Sequence, residues 1–187
     1  MSQIHLLRHG QACGGNYYRG STNDPLTELG WQQMRNAISQ QQWDIVVSSP
    51  LLRCLQFAEQ FCQKNQLPLQ IETDLQEYNF GEWEGKSSKT LFEQTPEAIT
   101  RFWQNPYEYY PPGAETMSKF EQRVLRTWQK IRNENSSKRI LVITHGGVIR
   151  VILRHVFQRP REELLKIEVP LASLVAVQPQ NSLFDNA

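Results

Sequence analysis

Residues 139–153 read RILVITHGGVIRVIL, and the fold is decided by how this stretch is parsed. Behind Arg139 stands a short run of branched aliphatics, the composition of a buried strand. Thr144, His145, Gly146 and Gly147 close it, and from Gly147 onward apolar residues recur every three or four positions, the spacing of a helix with one buried face. The same strand, turn and helix grammar occurs twice more. Residues 3–7 are an apolar-rich run ending in Arg8-His9-Gly10. Residues 43–47 (WDIVV) end in Ser48-Ser49-Pro50, and LLRCLQFAEQFCQ at 51–63 has helical periodicity. Strands alternating with helices predict an α/β fold: a three-layer sandwich with a mostly parallel central sheet flanked by helices.

The remaining segments are placed by their end signals. Thr27 caps a helix expected to reach about Ser39. Ser118 and Glu121 fit a capping box for a helix to Ile131. Pro160 fits the first turn of a short helix over 161–166. A last strand is expected within 169–177, delayed by Pro170. The stretch 78–112 breaks the alternation and is dense in aromatics, among them Trp83, Phe102 and Trp103. It reads as a helical cap insertion at about 78–115 within a single domain of 1–177, followed by a polar tail at 178–187.

Composition narrows the class. Hydrophobic residues make up 39% and charged residues 21% of the 187, values ordinary for a globular chain. Lys and Arg total 20 against 19 Asp and Glu, so no basic surplus points to nucleic acid. No apolar run is long enough to span a bilayer, and MSQIHLLRHG lacks the order of a secretory leader. Cys13, Cys54 and Cys62 are odd in number and form no CxxC pair, which argues against a disulfide framework or a zinc site and fits a reducing, cytoplasmic setting. The oligomeric state is left open.

Ligands of open α/β sheets bind beyond the carboxyl ends of the strands. The three runs deliver Arg8 and His9, then Ser48, Ser49 and Arg53, then Thr144, His145 and a helix N-terminus. Two arginines, two histidines and a positive helix end suit a compact, highly charged anion, and phosphate is the natural candidate. Phosphate monoesters hydrolyse extremely slowly in water, and a covalent step divides the barrier. Imidazole attacks when neutral, a form that nearby cations favour. A leaving alkoxide also needs a proton, which a carboxylic acid beside the phosphate can supply.

Arg8-His9-Gly10, SSPLLR at 48–53, LQEYNFGEWEG at 75–85 and Thr144-His145-Gly146 occur in this order, and together they resemble the histidine phosphatase superfamily, in its phosphoglycerate mutase-like branch. The resemblance spans residues 4 to about 177. It implies a phosphatase in which His9 is the phosphorylated nucleophile, Glu77 the proton donor, and Arg8, Arg53 and His145 the lining of the phosphate pocket, with the Gly146 N–H as a further donor. It implies no metal or cofactor, and a small-molecule phosphate ester as partner. YRGST at 18–22, DPLT at 24–27, GWQQM at 30–34, FGEWEG at 80–85 and PGAE at 112–115 are similar to the α-ribazole-5′-phosphate phosphatases of cobalamin synthesis. Gln11, Asn16, Arg19 and Gly20 are further candidate substrate contacts.

The chain departs from the pattern in places. Gln11-Ala12 stands where Glu-Thr is frequent, Asn16 falls one place late, and Cys54 replaces a smaller residue. Glu72, Glu82 and Glu84 rival Glu77 as the carboxylic acid. Arg19 is read either as a substrate contact or as a surface residue, Arg150 as part of a solvated helix face, and His5 and His155 as structural. Four other functions remain: a broad-specificity or sugar-phosphate phosphatase, a mutase, an enzyme for protein phosphohistidine, and a non-catalytic module. The compact length, the long stretch before the last strand and the complete set of reactive groups speak against the last three of these in turn.

Overall fold

The three aliphatic runs are the three inner strands of a five-stranded sheet in the computed structural model, which describes residues 3–177. In chain order the elements are β1 (Gln3–Arg8), α1 (Glu28–Ala37), β2 (Ile45–Ser48), α2 (Leu52–Asn65), β3 (Leu69–Ile71), α3 (Ser88–Gln94), α4 (Pro96–Gln104), α5 (Met117–Glu134), β4 (Arg139–Thr144), α6 (Gly146–Val156) and β5 (Leu174–Val177). Short 3-10 turns add Thr73–Leu75, Gly81–Trp83 and Arg161–Lys166. The strand order is β3-β2-β4-β1-β5, with β5 antiparallel to β1 and the other neighbours parallel. The mostly parallel α/β sandwich is therefore as expected.

Period two along the strands makes the two outer layers. Leu7, Val46, Leu141 and Ile143 face a core shared with Met34, Phe57 and Ala58 of α1 and α2. Ile4, Leu6, Val47, Ile140 and Val142 face the other core, shared with α5 and α6. Tyr78, Trp83, Leu91, Ile99 and Phe102 join that second core, so the aromatic-rich segment packs on the α5 and α6 side.

Three local expectations need correction. The cap of α5 is Thr116, whose hydroxyl accepts from the Lys119 N–H, rather than Ser118. Glu121 is not available for a capping box, because its carboxylate is buried against Arg154 and accepts from the Tyr107 hydroxyl at 3.0 Å. Pro160 precedes its turn instead of sitting in it, and the turn is 3-10. The last strand, by contrast, is as expected: it lies within 169–177 and starts late, at Leu174. The edge strand β3 was not expected: it is three residues long and half-exposed, too short to show a period. The tail at 178–187 lies outside the described residues.

Candidate active site

Register brings the chemistry together. Arg8 pairs with Thr144 across β1 and β4, and Ser48 with Ile143 across β2 and β4, so the three polar strand ends are level. The His9 N–H donates to the Thr144 carbonyl at 3.0 Å, which carries the β1–β4 ladder one residue into the turn. Gly10 follows because an added Cβ would stand 2.3 Å from the Gly30 carbonyl of α1.

His9 is 6% exposed. Its Nδ1 lies 2.7 Å from the Gly10 carbonyl, and since a carbonyl only accepts, Nδ1 carries the proton and Nε2 the lone pair. Burial, then the Arg53 charge, with smaller contributions from Arg8 and Arg19, lowers the imidazole pKa to about 3 despite the opposing pull of the Gly10 carbonyl. His145 packs 5.3 Å from His9, centroid to centroid. Its Nδ1 accepts from Arg53 Nε at 3.2 Å, so its Nε2–H donates to Ser49 Oγ at 2.7 Å. Burial, followed by Arg53 and His9, holds it well below the usual imidazole range. Both rings are neutral.

The neutral histidines make stability depend on acid. A His9 pKa of about 3 when folded, against 6.5 for the free group, means that the unfolded chain binds one more proton between those values. Stability from this group is thus complete above pH 6.5 and falls as the pH drops below it, by about 2 kcal/mol at pH 5. His145 acts in the same direction. Urea unfolding in phosphate-free buffer should show a marked loss between pH 7.5 and pH 5, and His9→Gln should remove about half of it. An equal loss in the variant would mean that His9 is not held neutral.

Arg53 has no exposed surface. Its Nη1 and Nη2 donate to the Thr22 and Gly20 carbonyls at 2.7 and 2.8 Å. Glu84 holds the loop that offers those carbonyls: its carboxylate accepts from the N–H groups of Gly20, Ser21 and Thr22 at 2.9–3.1 Å and from the Thr22 hydroxyl. Burial acts to raise the Glu84 pKa, but these donors outweigh it and the net shift is downward. Cys54 fits beneath, with Sγ 3.7 Å from His145 Nε2, and burial pushes its thiol up to about 12.

Glu77 arrives from the other side. Its Oε1 accepts from the Tyr78 N–H at 2.9 Å and its Oε2 from the Gly147 N–H, in the first turn of α6, at 3.0 Å. Arg123 donates to the carbonyls of Asp74, Gln76 and Glu77, and Thr144 Oγ1 to that of Leu75, so the peptide before Glu77 is clamped between α5 and β4. An added Cβ at Gly147 would stand 2.3 Å from Glu77 Oε1, so only glycine leaves room for this carboxylate.

A cavity of about 750 Å³ opens over these groups and is lined by Arg8, His9, Gln11, Asn16, Arg19, Glu77 and Gly146, among others. Arg53 and His145 were expected on this wall; they pack behind His9 and are not among the residues lining the cavity, and Arg53 spends three of its five N–H groups on Gly20, Thr22 and His145. Gly20 is corrected as well. It is buried with its carbonyl on Arg53 and its N–H on Glu84, and a Cβ would stand 1.9 Å from the Tyr78 carbonyl. Arg150 is not on a solvated face: it is half-buried on the cavity wall, with Nε donating to the Ile167 carbonyl at 2.9 Å. Arg19 lines the cavity while pairing with Asp24 at 2.8 Å and lying over the Tyr17 ring. Of the four glutamates weighed, Glu77 alone lines the cavity; Glu84 holds the 20–22 loop and Glu72 pairs with Lys130. His5 is structural, accepting from Trp43 Nε1 at 3.3 Å. Arg8 donates to the Val169 carbonyl, while its buried Nε has no hydrogen-bond partner, and burial lowers its pKa ahead of the opposing pull of Glu77.

Arg123 and the roles of Arg150 and Glu84 escaped the sequence reading. Arg123 and Arg150 sit at ordinary helical positions, and no local pattern separates them from solvated arginines. Glu84 lies in a motif that was read, but its contact is 62–64 residues away.

No helix among the described residues is long and apolar enough to cross a membrane. The chain is 32% identical over 184 residues to the bifunctional protein Rv2228c of Mycobacterium tuberculosis, covering 92% of this chain and 49% of that protein, so it spans about half the length of this relative. It is 30% identical over 173 residues to the adenosylcobalamin/alpha-ribazole phosphatase of Escherichia coli, covering 89% of this chain and 85% of that one. The crystal structure of the alpha-ribazole phosphatase from Shigella flexneri superposes with a TM-score of 0.82 at 25% identity, covering 94% of this chain and 90% of that one. The family model for the histidine phosphatase superfamily (branch 1) matches residues 4–185, a span that takes in both histidine turns and the Glu77 segment between them. A match of that extent, over a sheet of the same architecture, makes this chain a member of branch 1 of the histidine phosphatase superfamily.

Proposed function

We propose that the chain hydrolyses a small-molecule phosphomonoester through a phosphohistidine at His9, and that α-ribazole 5′-phosphate is its preferred substrate. One observation carries the chemistry. His9 is neutral with its Nε2 lone pair available, beside an arginine whose buried Nε lacks an acceptor. An anion in the cavity that Arg8 and His9 both line meets the Arg8 charge and presents phosphorus to the imidazole.

Nε2 attacks phosphorus as the bond to the ester oxygen breaks, and Glu77 delivers a proton to the leaving oxygen. Water then attacks the phosphoryl group, the P–N bond breaks, and Glu77 takes the proton back. Arg8 and the Gly146 N–H bind phosphoryl oxygens. From behind, Arg53 supplies positive potential and helps hold His9 neutral, while the neutral His145 ties Arg53 to Ser49, with Gln11, Asn16 and Arg19 on the rim. We further take 1–177 as one domain with a cap at about 78–115. The cysteines, free at 13, 54 and 62, fit a reducing cytoplasm.

The choice of substrate rests on the named activities of two relatives. Purified protein in EDTA is to be given a panel of phosphomonoesters that includes α-ribazole 5′-phosphate and 3-phosphoglycerate. A preference for α-ribazole phosphate of at least about tenfold in kcat/KM supports the assignment. Broad, weak turnover keeps the phosphatase and discards the cobalamin role, and mutase turnover faster than phosphate release discards hydrolysis.

A further inference from the structure

The far end of α6 has a cavity of its own. α6 spans 11 residues, about 16 Å, so its carboxyl end stands well away from the turn at Gly146 and Gly147 that meets Glu77. A cavity of about 430 Å³, a size that suits a small molecule, opens there between the carboxyl-terminal parts of α5 and α6. Its wall holds Trp128 and Arg132 of α5, Arg154 and His155 of α6, and Gln158 and Arg159 from the turn that follows. Among the described residues no carboxylate lines it. Cations in the last turn of a helix are ordinary, because they face the negative end of its dipole. That accounts for Arg132, Arg154 and His155, but not for Arg159, which lies outside both helices. Gln158 takes the left-handed backbone (φ 50°) with which a glycine usually ends a helix, and the Arg159 N–H returns to the Arg154 carbonyl at 2.9 Å. The turn so formed brings a third guanidinium to the wall.

The charges do not cancel. Arg154 is answered by the buried Glu121, and its Nη1 donates to the Arg159 carbonyl at 3.2 Å. Arg159 reaches Glu163 only at 4.0 Å, between side chains about half exposed, a pairing worth little in water. Arg132 rests over the Trp128 ring at 5.9 Å and forms no ion pair among the described residues. Behind them Trp128 Nε1 and Arg154 Nε are buried without an acceptor, so this end of the fold has donors in excess. Burial, then Arg154 and Arg132, lowers the pKa of His155, so both charges bear on that one ring. We infer that this cavity binds a phosphate dianion, free or carried on a small molecule, at a site separate from that of His9. Arg132 and Arg159 leave two positive charges to be met. A carboxylate brings one charge and a single edge, whereas a phosphate brings two charges and enough oxygens for two guanidinium forks.

The His155 ring is the reporter. The whole protein, labelled with ¹⁵N-histidine, is titrated with inorganic phosphate and separately with methylphosphonate at pH 7.5, at an ionic strength held constant with sodium chloride. His155→Asn assigns the ring signal. In the wild type the His155 signal should move and saturate with a Kd of about 1 mM. Replacing both free arginines, Arg132→Gln with Arg159→Gln, should weaken that binding by at least about tenfold. Both side chains reach solvent, so the fold survives their exchange, and circular dichroism checks it. Sulfate, doubly charged at every pH used, should raise the His155 pKa by about half a unit in the wild type and by less than about a tenth of a unit in the double variant. Saturation by methylphosphonate assigns the site to a phosphate carried on carbon, and saturation by inorganic phosphate alone assigns it to the free ion. A drift that never saturates, or that chloride reproduces, overturns the inference. So does an equal affinity in the double variant.

Discussion

Replacing His9 by glutamine should lower kcat/KM by about 10⁵ and abolish a phosphoryl group that is labile in acid and stable in alkali. Glutamine keeps much of the volume and can still donate to the Gly10 carbonyl, so the 2.7 Å contact at Nδ1 has a substitute and the turn survives. It offers no nucleophile. Removal of an attacking group typically costs about 10⁵ to 10⁶, and the residue of activity comes from electrostatic binding that remains, here from Arg8 and Arg53. Rapid quench with ³²P-labelled ester, followed by an acid and alkali stability test, checks the label. Steady-state turnover checks the rate. A variant that keeps a tenth of the activity, or that still takes up label, would place the phosphoryl group elsewhere.

Glu77→Gln should lose about 10³ in kcat/KM on an alkyl phosphate and less than about tenfold on 4-nitrophenyl phosphate, whose leaving group departs without a proton. The split separates a proton donor from a merely structural carboxylate. Each carboxylate oxygen of Glu77 accepts one backbone N–H, from Tyr78 and from Gly147. An amide has one acceptor, so one N–H meets an NH₂ group, and a stability loss of about 1–3 kcal/mol should accompany the kinetic effect. An equal loss on both substrates would show that the amide only disturbs the α6 N-terminus and that protons come from elsewhere.

Much of this architecture is legible in the chain because it is local. An aliphatic run closed by turn residues and followed by a 3.6-residue period specifies strand, turn and helix without reference to the rest of the molecule. The carboxyl-end rule then puts Arg8, His9, Ser49, Arg53 and His145 in one place. What was not legible is non-local. Arg53 reads as a wall residue until its partners are known: two carbonyls from a loop some thirty residues earlier and the ring of His145. Arg150 shares its helix with the exposed His155, and only the fold of 161–170 over its Nε distinguishes them. Gly20 has the look of a phosphate-binding glycine but is required by the Tyr78 carbonyl 1.9 Å from where a Cβ would lie. Periodicity reports which face is buried. It is silent on which polar group will meet another across the sheet.

The Glu84 carboxylate ties two parts of the chain that a breeder of new specificities would wish to keep apart. It belongs to the aromatic-rich segment, yet it secures the 20–22 loop, whose carbonyls aim Arg53 at His145. A transplant of residues 78–115 from a relative brings a foreign side chain to position 84 and, without a carboxylate there, slackens the charge behind the imidazole. Grafts therefore have two natural forms: one that retains Glu84 inside the exchanged piece, and one that carries the 20–22 loop with it as a matched pair. The same tie couples the segment 78–115 to competence at phosphorus, so that a change at position 84 calls for a matched change in a segment some sixty residues earlier.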